Sequence, residues 1–143
     1  MASLRIEHVN VTVSDADRTA RLLQGLFGWH VRWHGPARDG GRAVHVGSDR
    51  HYVALYTAPG RVYSEEDFAK GRPLNHIGVE VDDLDATEAR VSAAGLTPFS
   101  HGDYEPGRRF YFLDPDGIEY EVVSYQAARP GLEPDLAVAG VLP

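Results

Sequence analysis

His8, His76 and Glu121 are the side chains of this 143-residue chain whose types and placement best suit metal chemistry. The sequence holds seven His and 21 Asp plus Glu but no Cys, so any metal must be held by imidazole and carboxylate. Two imidazoles and one carboxylate occupy one face of a divalent ion and leave positions open for substrate and, on iron, dioxygen. Taken singly, a His on a strand is more often a hydrogen-bonded structural residue, and a Glu after a hairpin a solvated charge. His8 and His76 stand out because they fall at equivalent places in an internal repeat. Glu119, two residues before Glu121 and on the same strand face, is an equal candidate for the carboxylate on these grounds.

The repeat is read by an offset of 68 residues, which lays His8–Thr19 on His76–Thr87 without gaps. Six of the twelve pairs are identical: His8/His76, Val11/Val79, Val13/Val81, Asp15/Asp83, Asp17/Asp85 and Thr19/Thr87. Each copy opens with alternating apolar residues, Val9, Val11, Val13 and Ile77, Val79, Val81, the pattern of a half-buried strand with its His on the other face. Ser14 or Asp15, and Asp82 or Asp83, are placed to cap following helices. Their apolar stripes are Leu22, Leu23, Leu26 and Leu84, Val91, Ala94, with Gly28 and Gly95 as stops. Short β-rich runs follow at 30–33, 43–46 and 51–57, and again at 97–100, 110–113 and 118–124. Each copy therefore reads strand, helix, three strands. Residues 58–74 join them, with a short helical turn expected around 64–69, and a tail without its own core begins at Gln126.

The turn Asp114-Pro-Asp-Gly117 predicts register. Pro115 and Asp116 suit the two central positions of a type I turn, and Gly117 supplies the left-handed residue that closes a three-residue loop. Counting outward pairs Leu113 with Glu119 and Tyr111 with Glu121, so Tyr111 and Glu121 share a face. A four-residue loop would instead turn Tyr111 away. The corresponding position in the first copy falls on Ala54 or Leu55, neither a ligand, so three protein donors are expected rather than four.

Two further residues are candidates for the reaction itself. Tyr111 can donate a hydrogen bond to a substrate oxygen, and His101, in the loop before the Tyr111 strand, can move protons near neutral pH. His30, His34, His45 and His51 read as surface or cavity residues, and Tyr52, Tyr56, Phe110, Phe112 and Tyr120 as packing or pocket walls. A formal charge of −7 argues against nucleic acid, and no apolar run is long enough to span a bilayer. The chain holds neither a glycine-rich phosphate loop after a strand nor a Gly-x-Ser-x-Gly elbow. With 43% hydrophobic and 24% charged residues, one domain over 1–126 with modules at about 4–58 and 74–125, a tail at 127–143 and a cytoplasmic location are expected.

The opening His8-Val-Asn-Val-Thr-Val-Ser-Asp, its echo Asn75-His-Ile-Gly-Val-Glu-Val-Asp-Asp, and Phe110-Tyr-Phe-Leu-Asp-Pro-Asp-Gly-Ile-Glu-Tyr-Glu121 resemble the vicinal oxygen chelate superfamily. That group includes glyoxalase I, bleomycin-resistance proteins, fosfomycin-resistance transferases and type I extradiol dioxygenases. The resemblance covers about residues 4–125 and implies an α+β fold: two βαβββ modules whose curved, partly open mixed sheets enclose a metal cavity, commonly in a homodimer. It implies ligands at His8, His76 and Glu121, which selects Glu121 over Glu119, and no fourth ligand at Ala54 or Leu55. Three-ligand sites with a Tyr at the place of Tyr111 are typical of extradiol dioxygenases and fosfomycin-resistance enzymes. Extradiol members also carry an acid/base His near, though not in register with, His101. The basic and serine residues that hold fosfomycin are not evident around 101–109. The expected function is an extradiol-type dioxygenase acting on a small molecule through two adjacent oxygens, with Fe(II) as the ion and Mn(II), Ni(II) or Zn(II) accepted by the same donors. The rivals are a glyoxalase-like lyase or isomerase and a metal-free drug-binding protein.

Overall fold

The computed structural model describes residues 6–60, 74–104 and 107–125. The expected turn at 64–69, most of the joining segment and the tail from Gln126 lie outside them. The chain divides into two compact units on either side of residue 67.

The first unit runs β1 (His8–Thr12), α1 (Ala16–Phe27), β2 (His30–Pro36), β3 (Arg42–Gly47) and β4 (Tyr52–Thr57). The second runs β5 (Ile77–Glu80), α2 (Leu84–Ala93), β6 (Phe99–Tyr104), β7 (Gly107–Leu113) and β8 (Glu119–Ser124). Each forms a four-stranded mixed sheet, ordered β1-β4-β3-β2 and β5-β8-β7-β6, with the first strand parallel to the last and the remaining pairs antiparallel. This is the expected strand, helix, three-strand unit, twice.

The identities in the repeat have local physical reasons. Asp15 and Asp83 are the N-caps, each accepting from the backbone N–H three residues on at 3.0 Å. Asp17 and Asp85, in the first helical turns, bind arginines on the sheet: Arg42 Nη2 at 2.9 Å and Arg108 Nη2 at 2.9 Å. Thr19 and Thr87 are buried at the helix–sheet contact. Gly28, at φ 70°, ends α1 in the left-handed conformation, with its N–H donating to the Gln24 carbonyl at 2.9 Å.

Leu23, Leu26 and Ala20 of α1 pack on Val44, Val46, Val53 and Leu55, all less than a tenth exposed. Leu84 and Val91 of α2 are buried likewise, as are Phe110, Phe112, Tyr120 and Val122 of the second sheet. Two apolar expectations need correction. Ala94 is not on the buried stripe, because α2 ends at Ala93 and Ala94 becomes its exposed C-cap. Val9 is 40% exposed, because β1 is an edge strand.

The β7–β8 turn has the predicted three-residue loop. Asp114 N–H donates to Ile118 O at 2.9 Å, Gly117 takes φ 82°, and the register pairs Tyr111 with Glu121 and Leu113 with Glu119. Asp114 Oδ1 closes it by accepting from the N–H groups of Asp116 and Ile118, both at 2.9 Å. No helix among the described residues is long and apolar enough to cross a membrane.

Candidate metal centre

Strand β8 lies between β5 and β7, so the face opposite α2 collects side chains from all three. Glu121 is at its centre and is 15% exposed. Its Oε2 accepts from the Tyr111 hydroxyl at 3.1 Å and lies 3.1 Å from His76 Nε2; its Oε1 accepts from Arg109 Nη1 at 3.0 Å. His76 meets the Tyr111 ring edge to face, with centroids 5.8 Å apart. Glu119 approaches the other imidazole nitrogen, with Oε2 3.7 Å from His76 Nδ1, so the two carboxylates address opposite sides of the ring. Nε2 is the nitrogen beside Glu121.

The residue before each histidine places an oxygen beside its Nδ1. His76 Nδ1 lies 2.9 Å from Asn75 Oδ1, and His8 Nδ1 lies 3.1 Å from Glu7 Oε1. Both partners are acceptors, which suits a donating Nδ1–H; in a neutral ring Nε2 would then hold the lone pair. The hydrogen bond from His8 holds the Glu7 carboxyl below its ordinary value, which keeps it an acceptor. At His76, Nε2 faces a carboxylate oxygen, a contact that either an Nε2–H donor or a shared cation satisfies. Two donors about 2.1 Å from one ion and at a right angle are about 3.0 Å apart. The observed separation of 3.1 Å therefore suits one divalent ion. Within either unit, among the described residues, no third His, Asp or Glu completes a cage.

His8 belongs to the first unit. There, the parallel register pairs Asn10 with Ala54, as Gly78 pairs with Glu121 in the second unit. Ala54, not Leu55, is therefore the counterpart of Glu121, and Leu55 points into the core.

His101 is not brought to this cluster. Its Nε2 lies 2.9 Å from Glu88 Oε1 of α2, and its ring stacks on buried Phe110, so it sits on the helix side of the sheet and is 55% exposed. The cause is a bulge in β6: Phe99 pairs with Tyr111 and Gly102 with Arg109, and Ser100 takes φ 53°. The irregularity reverses the alternation that would otherwise carry His101 to the Tyr111 face. His30, His34 and His51 are exposed, as expected. His45 is partly buried; burial first, then the charges of His8 and Arg32, push its imidazole below the ordinary value.

Arg109 was not among the sequence candidates. Its signal was available in the period of a strand, since it stands two residues before Tyr111 and so on the same face.

The sequence profile of the Glyoxalase/Bleomycin resistance protein/Dioxygenase superfamily matches residues 5–122. No functionally curated protein sequence matches the chain. Among solved structures, a glyoxylase/bleomycin resistance protein/dioxygenase domain from Frankia sp. EAN1pec is 23% identical, with TM-score 0.74 over 87% of this chain and 100% of that one. The fosfomycin resistance protein FosX from Listeria monocytogenes, complexed with Mn(II) and sulfate, is 19% identical, with TM-score 0.63 over 87% and 93%. FosX from Mesorhizobium loti is 24% identical, with TM-score 0.59 over the same shares. Those likenesses describe the fold, two βαβββ units with open mixed sheets. The profile covers most of the chain, which therefore belongs to the Glyoxalase/Bleomycin resistance protein/Dioxygenase superfamily, the vicinal oxygen chelate fold whose members are often metal-dependent enzymes.

Proposed function

We propose that the chain is a divalent-metal enzyme of the extradiol dioxygenase type, acting on a small molecule through two adjacent oxygens. The observation that carries it is the pairing of His76 Nε2 with Glu121 Oε2 at 3.1 Å, with Nδ1 already committed to Asn75. His8, whose Nδ1 is committed to Glu7 in the same way, is the third donor, from this chain or from a partner chain. Fe(II) is the proposed ion; the Mn(II) in FosX structures supports a divalent metal in the family. When bound, such an ion supplies Lewis acidity and lowers the pKa of a substrate hydroxyl.

The protein's own groups do the rest. Asn75 and Glu7 orient the two imidazoles. Tyr111, held on Glu121, aims its hydroxyl at the same carboxylate edge and orients a substrate oxygen there. Arg109 offsets the Glu121 charge and keeps that carboxylate from swinging away. Ala54 adds no fourth donor, which supports the three-ligand reading. A homodimer, on the resemblance, is part of this proposal, as is a cytoplasmic location.

The test is metal content and oxygen uptake. Protein purified without oxygen and loaded with Fe(II) is expected to consume dioxygen with catechols. His8→Ala, His76→Ala and Glu121→Gln should each lose stoichiometric metal. Absence of oxygen uptake across a broad panel of diols overturns the dioxygenase reading, and full metal binding by His76→Ala overturns the site. A second reading, a non-redox lyase or isomerase, draws support from FosX complexed with Mn(II) and 1S,2S-dihydroxypropylphosphonic acid, a substituted vicinal diol. Turnover under strict anaerobiosis with Mn(II) selects it.

A further inference from the structure

The open face of the first sheet carries a run of rings and a cation beside His8, whose own ring stacks on Tyr52 at 4.8 Å. Trp33 of β2 lies 5.1 Å from His45 of β3, and His45 stacks on Tyr52 of β4 at 4.7 Å, with their planes 25° apart. The Arg32 guanidinium carbon sits 4.5 Å from the centre of the Tyr52 ring. Trp33 is 48% exposed, an unusual position for the largest apolar side chain.

Two backbone features aim these groups. The β2–β3 ladder shifts register between Val31 and Trp33, so that Val31 faces Val46 and Trp33 faces His45. The extra residue, Arg32, is thereby turned to the same face as Trp33 instead of alternating away from it. Gly35 then makes room: a Cβ there would be 2.8 Å from Trp33 Cζ2, so a bare backbone lets the indole lie along the strand. Arg32 is exposed and has no ion pair with a carboxylate among the described residues. Glu7, whose carboxyl the Arg32 charge helps to lower, is already bonded to His8 and to the Tyr52 hydroxyl.

An indole face and an adjacent guanidinium without an ion pair together fit one ligand chemistry. A flat ring can stack on Trp33 while a negative group pairs with Arg32. We propose that this face of the first unit binds a planar aromatic carboxylate of one or two fused rings. The face is the one that carries His8, so the proposal names a ligand class for the same side of the first unit; it does not need the metal, since neither Arg32 nor Trp33 is a metal donor.

The test uses the full chain stripped of metal with EDTA and titrated with 2-naphthoate, read by the indole N–H resonances of Trp29 and Trp33 and by calorimetry. A saturable shift of the Trp33 resonance is expected. Trp33→Ala and Arg32→Gln should each weaken binding by about fivefold or more, and Trp33→Phe should recover part of the loss. Cyclohexanecarboxylate and 2-naphthalenemethanol should bind at least about fivefold more weakly, because each lacks one of the two recognised features. The proposal is overturned by an unmoved Trp33 resonance, by equal affinity for cyclohexanecarboxylate, or by Trp33→Ala and Arg32→Gln proteins that stay folded by circular dichroism and bind as the native chain does. Loss of binding by Trp33→Phe equal to that of Trp33→Ala overturns the stacking element. Because every arm is run without metal, failure of the metal centre leaves the result readable.

Discussion

Replacing Asp114 with alanine removes the side chain that closes the β7–β8 turn. Its Oδ1 accepts from two backbone N–H groups, those of Asp116 and Ile118, both at 2.9 Å, in a place where Asp114, Asp116 and Ile118 are all less than a tenth exposed. Hydrogen bonds to a charged group contribute about 1.5–3 kcal/mol each. Two of them set a ceiling of about 3–6 kcal/mol. Relaxation of the turn and entry of water recover part, so Asp114→Ala is expected to cost about 3 kcal/mol. Asn keeps the acceptor oxygen and loses only the charge, so Asp114→Asn should cost about half as much. Against a total stability of about 5–15 kcal/mol for a domain, either loss is readable by urea titration followed by circular dichroism and fluorescence. The same turn keeps Tyr111 opposite Glu121, so metal affinity should fall with stability across the pair of variants. Asp49→Ala, at a side chain 94% exposed, is the control. An Asp114→Ala unfolding free energy within about 1 kcal/mol of the native protein's would show that the turn holds its register without this side chain.

Arg109→Met should separate metal binding from turnover. Removing a cation 3.0 Å from Glu121 Oε1 favours a divalent ion there, so Mn(II) affinity by calorimetry is expected to rise about tenfold while activity falls; weaker Mn(II) binding refutes the charge argument. Tyr120→Phe should raise stability by about 1 kcal/mol, because the Tyr120 hydroxyl is fully buried, finds no hydrogen-bond partner among the described residues, and has its pKa pushed up, first by burial and then by Asp114 and Asp116. A clear drop in melting temperature would reveal a partner for that hydroxyl. Acid titration should expose the helix–sheet pairs. The Arg42 and Arg108 guanidinia hold the Asp17 and Asp85 carboxyls below their ordinary values. Their contribution is therefore full above the unfolded pKa of about 3.9 and is lost as pH falls through the lower folded values. The Asp17→Asn, Asp85→Asn double variant should show a shallower loss of stability below about pH 4, and an unchanged acid limb counts against the pairs.

Much of this arrangement is legible in the amino-acid order because the determining interactions are local. Asp15 and Asp83 cap the helices that begin one residue later, and Asp114-Pro-Asp-Gly117 contains within itself the bonds that set Tyr111 against Glu121. What was not legible depends on departures from regular periods. His101 would share a face with Phe99 and Tyr111 on an unbroken strand, and only the irregularity at Ser100 sends it to Glu88 instead. Arg32 reaches the ring face through a similar interruption in β2. The choice between Ala54 and Leu55 required the parallel pairing of β1 with β4, a contact between distant segments that no local pattern encodes. Arg109 could have been found by stepping two residues back from Tyr111, and its partnership with Glu121 needed both strands to be in register.

The arginine straps from Asp17 to Arg42 and from Asp85 to Arg108 divide the labour within each unit. They clamp a helix onto its own sheet from behind, together with the capping aspartates and the buried threonines. Little of that fastening draws on the opposite face, where one copy presents Glu121 with Arg109 and the other presents Ala54 opposite His45, whose ring meets Trp33. A duplicated frame secured in this way tolerates divergence of its front surfaces, so the two halves can turn different side chains forward while their backs stay alike.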